Sequence, residues 1–232
     1  MIDLESLKQG QVLLIDKPLN WTSFDVVNKL RYAILKKHNL KKFKVGHAGT
    51  LDPLATGLLL ICVGKATKTI QAYQGMDKEY TGTFYLGATT PSYDAETAID
   101  QHFETGHITE ALIQETARNF VGKQSQVPPV FSAIKKNGKK LYEHARKGES
   151  VTIQAREVEI KSFEILSINL PEVTFKVRVS KGTYIRSLAF DFGQKMKTGA
   201  YLSALRRTKI GHFDVQDAMI YQQWIDRLNY ED

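Results

Sequence analysis

The stretch of this sequence best equipped for chemistry is Gly46-His47-Ala48-Gly49-Thr50-Leu51-Asp52-Pro53-Leu54-Ala55-Thr56-Gly57. Three glycines and a proline within twelve residues specify a tightly folded loop rather than a flexible linker. Asp52 precedes Pro53, whose ring pushes the aspartate toward extended backbone geometry. The basic stretch Lys36–Lys44 comes before the loop, and the continuous apolar run Leu58–Val63 follows it. That run reads as a strand buried on both faces, which would hold the loop rigidly. A carboxylate on a rigid loop beside a buried strand is a sensible catalytic arrangement. An Asp-Pro pair also organises turns and caps helices, and the residue chemistry of the loop alone leaves both roles open.

The elements that must position this loop follow from periodicity. Val12–Ile15 reads as a strand entering the turn Asp16-Lys17-Pro18, and Trp21-Thr22-Ser23 offers a cap for a helix over 24–37. Ala66–Tyr73 reads as a short helix and Glu79–Leu86 as a strand. The polar, acidic Thr89–Gly106 suggests a surface excursion. Thr109 caps a helix over 109–121, and strands are expected at 156–168 and 173–180 around Pro171. Helices are expected over 183–196 and about 217–228. Strands scattered among helices, with several near-neighbour pairs, give an α+β class with a mixed, mainly antiparallel sheet.

At 232 residues the chain can build one sizeable domain, or one with a smaller insertion. No apolar run approaches the roughly 18 residues of a membrane span, and the first ten residues lack the pattern of a secretory signal. A single cysteine, Cys62, excludes an internal disulfide and a cysteine zinc site, and it lies inside an apolar strand as a core residue. Cytoplasmic residence is expected. The net charge of +7 is unevenly spread: residues 1–80 hold 12 basic and 7 acidic side chains, and 131–212 hold 17 and 7, whereas 81–130 and 213–232 are each net acidic. A polyanion bridging the two basic blocks is the natural partner, bound in a salt-dependent way through counterion release.

The run Gly46–Gly57, continued by Leu60-Ile61-Cys62-Val63-Gly64-Lys65-Ala66-Thr67-Lys68, resembles the catalytic motif of the TruB family of tRNA pseudouridine synthases. Further stretches resemble the same family in the same order: Asp16-Lys17-Pro18 with Trp21-Thr22-Ser23, Asp77-Lys78-Glu79-Tyr80, and Val127-Pro128-Pro129 with Ser132-Ala133 and Gly138–Tyr142. The last are Ser180–Ser187 and Leu205-Arg206-Arg207. The resemblance covers about residues 10 to 212. It implies the pseudouridine-synthase fold and conversion of uridine 55 (tRNA numbering) in the T-loop, without cofactor or metal. Asp52 is then the nucleophile, Arg186 the arginine expected to pair with it, and Tyr80 the residue that stacks on the target base and is a candidate to remove its C5 proton. His47 is implied to displace and stack against the flipped nucleotide, while Lys68, Tyr184 and Leu205 complete the substrate-binding set. Lys139 and Lys140 belong to an insertion at about 124–152 that resembles a clamp over the tRNA arm.

Many members of this family continue into a small C-terminal RNA-binding domain of the PUA type. This sequence is expected to be a single catalytic core, residues 1–232, without it, acting as a monomer and working well on an isolated T-arm stem-loop. Two alternatives share much of the pattern: a pseudouridine synthase aimed at another RNA, and a non-catalytic RNA-binding module.

Overall fold

The computed structural model describes residues 3–132, the backbone of 135–136 and 139–140, and residues 153–230. Its chain divides into two compact units, residues 1–80 with 205–232 and residues 81–204. The first unit begins with α1 (Leu4–Gln9), β1 (Gln11–Lys17), α2 (Ser23–Lys37), β2 (Val45–His47), β3 (Ala55–Val63) and α3 (Ile70–Gly75). Strand β4 (Lys78–Leu86) leads into the second unit, which holds β5 (Ala88–Thr89), β6 (Gln101–His102), α4 (Glu110–Asn119) and β7 (Gly122–Gln126). After the two-residue strands β8 (Lys135–Lys136) and β9 (Lys139–Lys140) come β10 (Arg156–Asn169), β11 (Glu172–Val179) and α5 (Ile185–Lys195). Strand β12 (Ala200–Ile210) returns the chain to the first unit, which ends with β13 (Phe213–Asp214) and α6 (Tyr221–Asn229).

In the first unit the sheet is mixed. Strand β3 pairs antiparallel with β1 (Leu14 opposite Leu60) and with β2 (Gly46 opposite Cys62), and parallel with β12 (Leu205 opposite Ala55). The apolar run in β3 is continuous because both of its faces are covered. Leu59, Ile61 and Val63 pack with Val26, Leu30 and Ile34 of α2 and with Trp224 and Leu228 of α6. Leu58 and Leu60 join Ala48 and Ile210 on the other face. Each such side chain, wholly removed from water, contributes on the order of 1.5–3 kcal/mol. The second unit is antiparallel: β10 pairs with β11 and with β7, over a core in which Phe84, Phe163, Phe175 and Phe192 meet ring to ring.

Several sequence expectations need correction. The 46–57 segment is a shorter loop than its composition suggests, because β2 includes Gly46 and His47 and β3 begins at Ala55. The helix expected over 66–73 is a 3-10 turn over Gly64–Thr69 followed by α3, and the last helix starts at Tyr221 after a separate turn at Val215–Asp217. Segment 89–106 is not a simple surface excursion: Ser92 and Asp94 are buried. The elements without a sequence counterpart include α1, β7 and β12 as well as several two- and three-residue strands. The side chains of Lys139 and Lys140, and most of the expected clamp at 124–152, lie outside the described residues.

Candidate active site

Asp52 stands partly buried on the turn between β2 and β3, and the backbone on either side of it is tied down. Helix α2 begins with a capping box in which Thr22 Oγ1 accepts from Asp25 N while the Asp25 carboxylate accepts from Thr22 N. This cap fixes the next residue, Ser23, which is buried. Ser23 Oγ accepts from Leu51 N at 2.8 Å and donates to Leu51 O at 3.1 Å, so a single hydroxyl satisfies both polar groups of the residue before Asp52. On the other side, Pro53 O accepts from Asn20 N at 2.8 Å, and Ala55 N closes the turn onto Asp52 O at 3.0 Å.

Two buried cations brace the same loop. Lys17, at the end of β1, is wholly buried and donates to Trp21 O at 2.6 Å and Pro18 O at 2.8 Å. Burial lowers its pKa to about 8, opposed by the negative charge of Asp52. Arg207 of β12 is 1% exposed. Its Nε donates to Leu58 O at 2.7 Å, Nη1 to Thr50 O at 3.3 Å and Nη2 to Gly49 O at 3.2 Å. It also lies near the Tyr80 side chain and within the electrostatic reach of Asp52. One guanidinium thus connects the loop and the buried strand after it, close to the tyrosine. Gly57 permits this approach: its φ is +101°, and a Cβ there would overlap the Arg207 backbone.

The remaining first-unit residues fall around this frame. His47 lies on β2, and burial holds its imidazole below the ordinary pKa against an opposing backbone hydrogen bond at Gly49, with Arg207's charge a smaller contribution in the same direction as burial, so the ring is neutral near pH 7. Leu205 pairs with Ala55, and its neighbour Arg206 grips Asp16 bidentately at 3.0 and 2.6 Å. Lys68 is exposed on the Gly64–Thr69 turn. Cys62 is core: buried in β3, its thiol pKa is pushed up to about 11.

In the second unit, Arg186 on α5 is 5% exposed and lies 3.6 Å from the equally buried carboxylate of Asp94, with Nη1 donating to Ser92 O at 3.2 Å. The loop carrying Asp94 is itself held: Tyr93 stacks on Phe190 at 4.3 Å, and its carbonyl accepts from Leu202 N at 2.9 Å. Tyr184 leads into α5, with its backbone bonded on both sides by the Gln126 amide and the Arg156 guanidinium 4.5 Å above its ring.

Sequence reasoning singled out Asp52, Tyr80 and Arg186 but not the groups that hold them. Arg207 and Lys17 were quoted only as parts of motifs, and Ser23 only as part of a cap. Their signal was hydrophilic type inside strand or helix pattern, which marks a buried polar residue with a task only once burial is known. Among the described residues no group of three or more His, Cys, Asp or Glu side chains converges as a metal site. No described helix is long and apolar enough to cross a membrane.

The mixed α+β sheet, with Asp52 on a clamped turn and Tyr80 near the buried Arg207, has the fold of the pseudouridine synthases. The family model "TruB family pseudouridylate synthase (N terminal domain)" matches residues 37–185, and the chain belongs to that family. It is 64% identical over 216 residues to the tRNA pseudouridine synthase B of Flavobacterium johnsoniae, covering 93% of this chain and 94% of that one. It is 50% identical to the tRNA pseudouridine synthase B of Phocaeicola vulgatus, covering 98% of each. Among solved structures it is similar to a chain of a Cbf5-Nop10-Gar1 complex, with 31% identity and a TM-score of 0.71 over 95% of this chain. It is also similar to a chain of an H/ACA RNP bound to a substrate RNA containing 2′-deoxyuridine, with 29% identity and a TM-score of 0.69 over 97% of this chain. This chain spans about half the length of those two solved chains, 54% and 55%.

Proposed function

We propose that this protein is a tRNA pseudouridine synthase that isomerises uridine 55 of the T-loop, with Asp52 as its nucleophile. The observation that carries the reading is Asp52, partly open to solvent on a turn whose flanking residues are bonded by Ser23, Asn20 and Arg207. The names and near-complete coverage of the relatives at 50–64% identity support tRNA as substrate.

In this reading the uridine is drawn out of its stack, at a cost of a few kcal/mol that stacking and phosphate contacts offset. Asp52 forms a covalent bond to the substrate, at the ribose C1′ or at C6 of the base, and the N-glycosidic bond breaks. The uracil turns, C5 bonds to C1′, and the carboxylate is released. The C5 proton leaves and N1 is protonated, so the product is an isomer and no redox partner or group donor enters the balance. Tyr80, close to Arg207, stacks on the base and is the group assigned to the C5 proton. The roles given above to Arg186, His47, Lys68, Tyr184 and Leu205 carry over from the family. Residues 124–152, with Lys139 and Lys140, are assigned to a clamp over the T-arm, on a monomer acting in the cytoplasm.

Incubation of the purified protein with an unmodified tRNA transcript, followed by mapping of pseudouridine, tests this. Conversion of one T-loop uridine without added cofactor is expected. Modification elsewhere, or binding without conversion, would overturn it in favour of the other-RNA synthase or the binding module.

A further inference from the structure

Helix α2 buries a complete apolar stripe, Val26, Val27, Leu30, Ala33 and Ile34, yet leaves large rings on its opposite side in water: Phe24 is 58% exposed and Tyr32 is 66% exposed. A hollow of about 490 Å³ opens there between Asn20, Trp21, Asp25, Asn28, Lys29 and Tyr32. That volume falls in the range of small-ligand sites. Its walls are stiff. Trp21 is stacked on Tyr221 at 4.5 Å, and Asn20, at a φ of 64°, is held by its N–H bond to Pro53 O. Asp25, the one acid present, accepts from Thr22 N at 2.8 Å and Thr22 Oγ1 at 2.6 Å, so its carboxylate is directed to the helix cap. Asn28 is oriented by Arg31, whose Nη2 donates to it at 2.8 Å.

The charge along this part of the chain points one way. Between Asp25 and Asp52 the sequence holds seven Lys or Arg residues and no acidic one. Two rings to stack on, two amide side chains that can meet a base edge and a lysine for phosphate are the parts of a single-nucleotide subsite. The hydrogen bond from Asn20 to Pro53 sets its rim one residue from Asp52. We infer that this hollow binds an unpaired nucleotide of the substrate RNA that flanks the target uridine, stacked on Tyr32 and Trp21 with its phosphate at Lys29. The inference rests on the proposed reaction for the identity of the RNA, and on the hollow's own chemistry for the rest.

The test is a cycle between Tyr32 and the RNA. T-arm stem-loops carrying one abasic nucleotide at each position flanking the target would be compared on wild type, Tyr32→Ala and Tyr32→Phe, by steady-state kinetics and direct binding. Tyr32→Ala is expected to raise KM and Kd about tenfold with kcat within about twofold, and Tyr32→Phe to restore both, since base stacking needs the ring and not the hydroxyl. One abasic position should produce the same rise on wild type and no further rise on Tyr32→Ala. Unchanged binding in Tyr32→Ala, or losses that multiply at every abasic position, would overturn the inference; the second result would point to a protein partner or general charge. Absence of turnover by wild type would count against the proposed reaction, while the binding arm would still read the hollow.

Discussion

Two buried guanidiniums, Arg207 in the first unit and Arg186 in the second, are held in opposite ways. Arg207 donates to three carbonyl oxygens at 2.7–3.3 Å, with the Tyr80 side chain close by. Arg186 meets the buried carboxylate of Asp94 at 3.6 Å and one carbonyl. Carbonyl dipoles satisfy an arginine's donors without cancelling its charge, so Arg207 both braces the loop and leaves a positive field reaching Asp52. An ion pair neutralises the field and fixes position instead. The difference assigns the two arginines separate work: Arg207 shapes the loop that carries Asp52, and Asp94 holds Arg186 in place.

The comparison predicts a ranking of effects. Arg207→Met should be the most damaging to stability, because it strands the buried carbonyl of Leu58 at about 1–3 kcal/mol, removes the bonds to the carbonyls of residues 49 and 50, and leaves a wholly buried side chain without its hydrogen bonds. A loss of more than about 3 kcal/mol in denaturant unfolding is expected, against about 2 kcal/mol for Asp94→Asn, which keeps the shape and one acceptor. The reverse order would break the distinction. Asp94→Asn should instead lower kcat without moving the unfolding midpoint in proportion.

A smaller effect sharpens the picture of the loop. The folded His47 resists protonation, so between its folded and ordinary pKa values the unfolded chain binds more protons than the native one. Stability from this group is therefore present above the ordinary histidine pKa and is lost as pH falls below it. Unfolding free energies between pH 7.5 and 5, taken as round working limits, should drop more steeply for wild type than for His47→Gln, and parallel curves would show the ring to be solvated. Smallest is Cys62: with its thiol at about 11 and no exposure, a thiol reagent at about pH 8 should label it only as fast as the protein unfolds.

Much of this was legible in the chain. The glycine-proline loop, the apolar strand after it and the Thr22 cap are local patterns, and Asp52 stood where they said a rigid carboxylate would be. What the sequence did not disclose is reach. Ser23 bonds Leu51 across 28 residues, and Arg207 bonds Leu58 across 149. No periodicity reports such contacts. Strand β12 escaped notice for the same reason, since its buried positions include an arginine and the alternation of burial breaks at Ala204–Arg206. Segment 89–106 looked like surface because it is acidic, yet Asp94 is buried there by virtue of Arg186, a partner 92 positions away in the chain. Charged residues inside elements hid their roles until their partners were known.

The most direct test of the central claim is single-turnover conversion of tRNA by Asp52→Asn under saturating protein. The substitution keeps the size of the side chain and the braced turn, so tRNA affinity should stay within about threefold of wild type. Pseudouridine formation should fall by at least about 10⁴-fold, the scale lost when a nucleophile is removed. Turnover within tenfold of wild type would contradict the account, because the reaction would then proceed without the carboxylate that the loop is built to present.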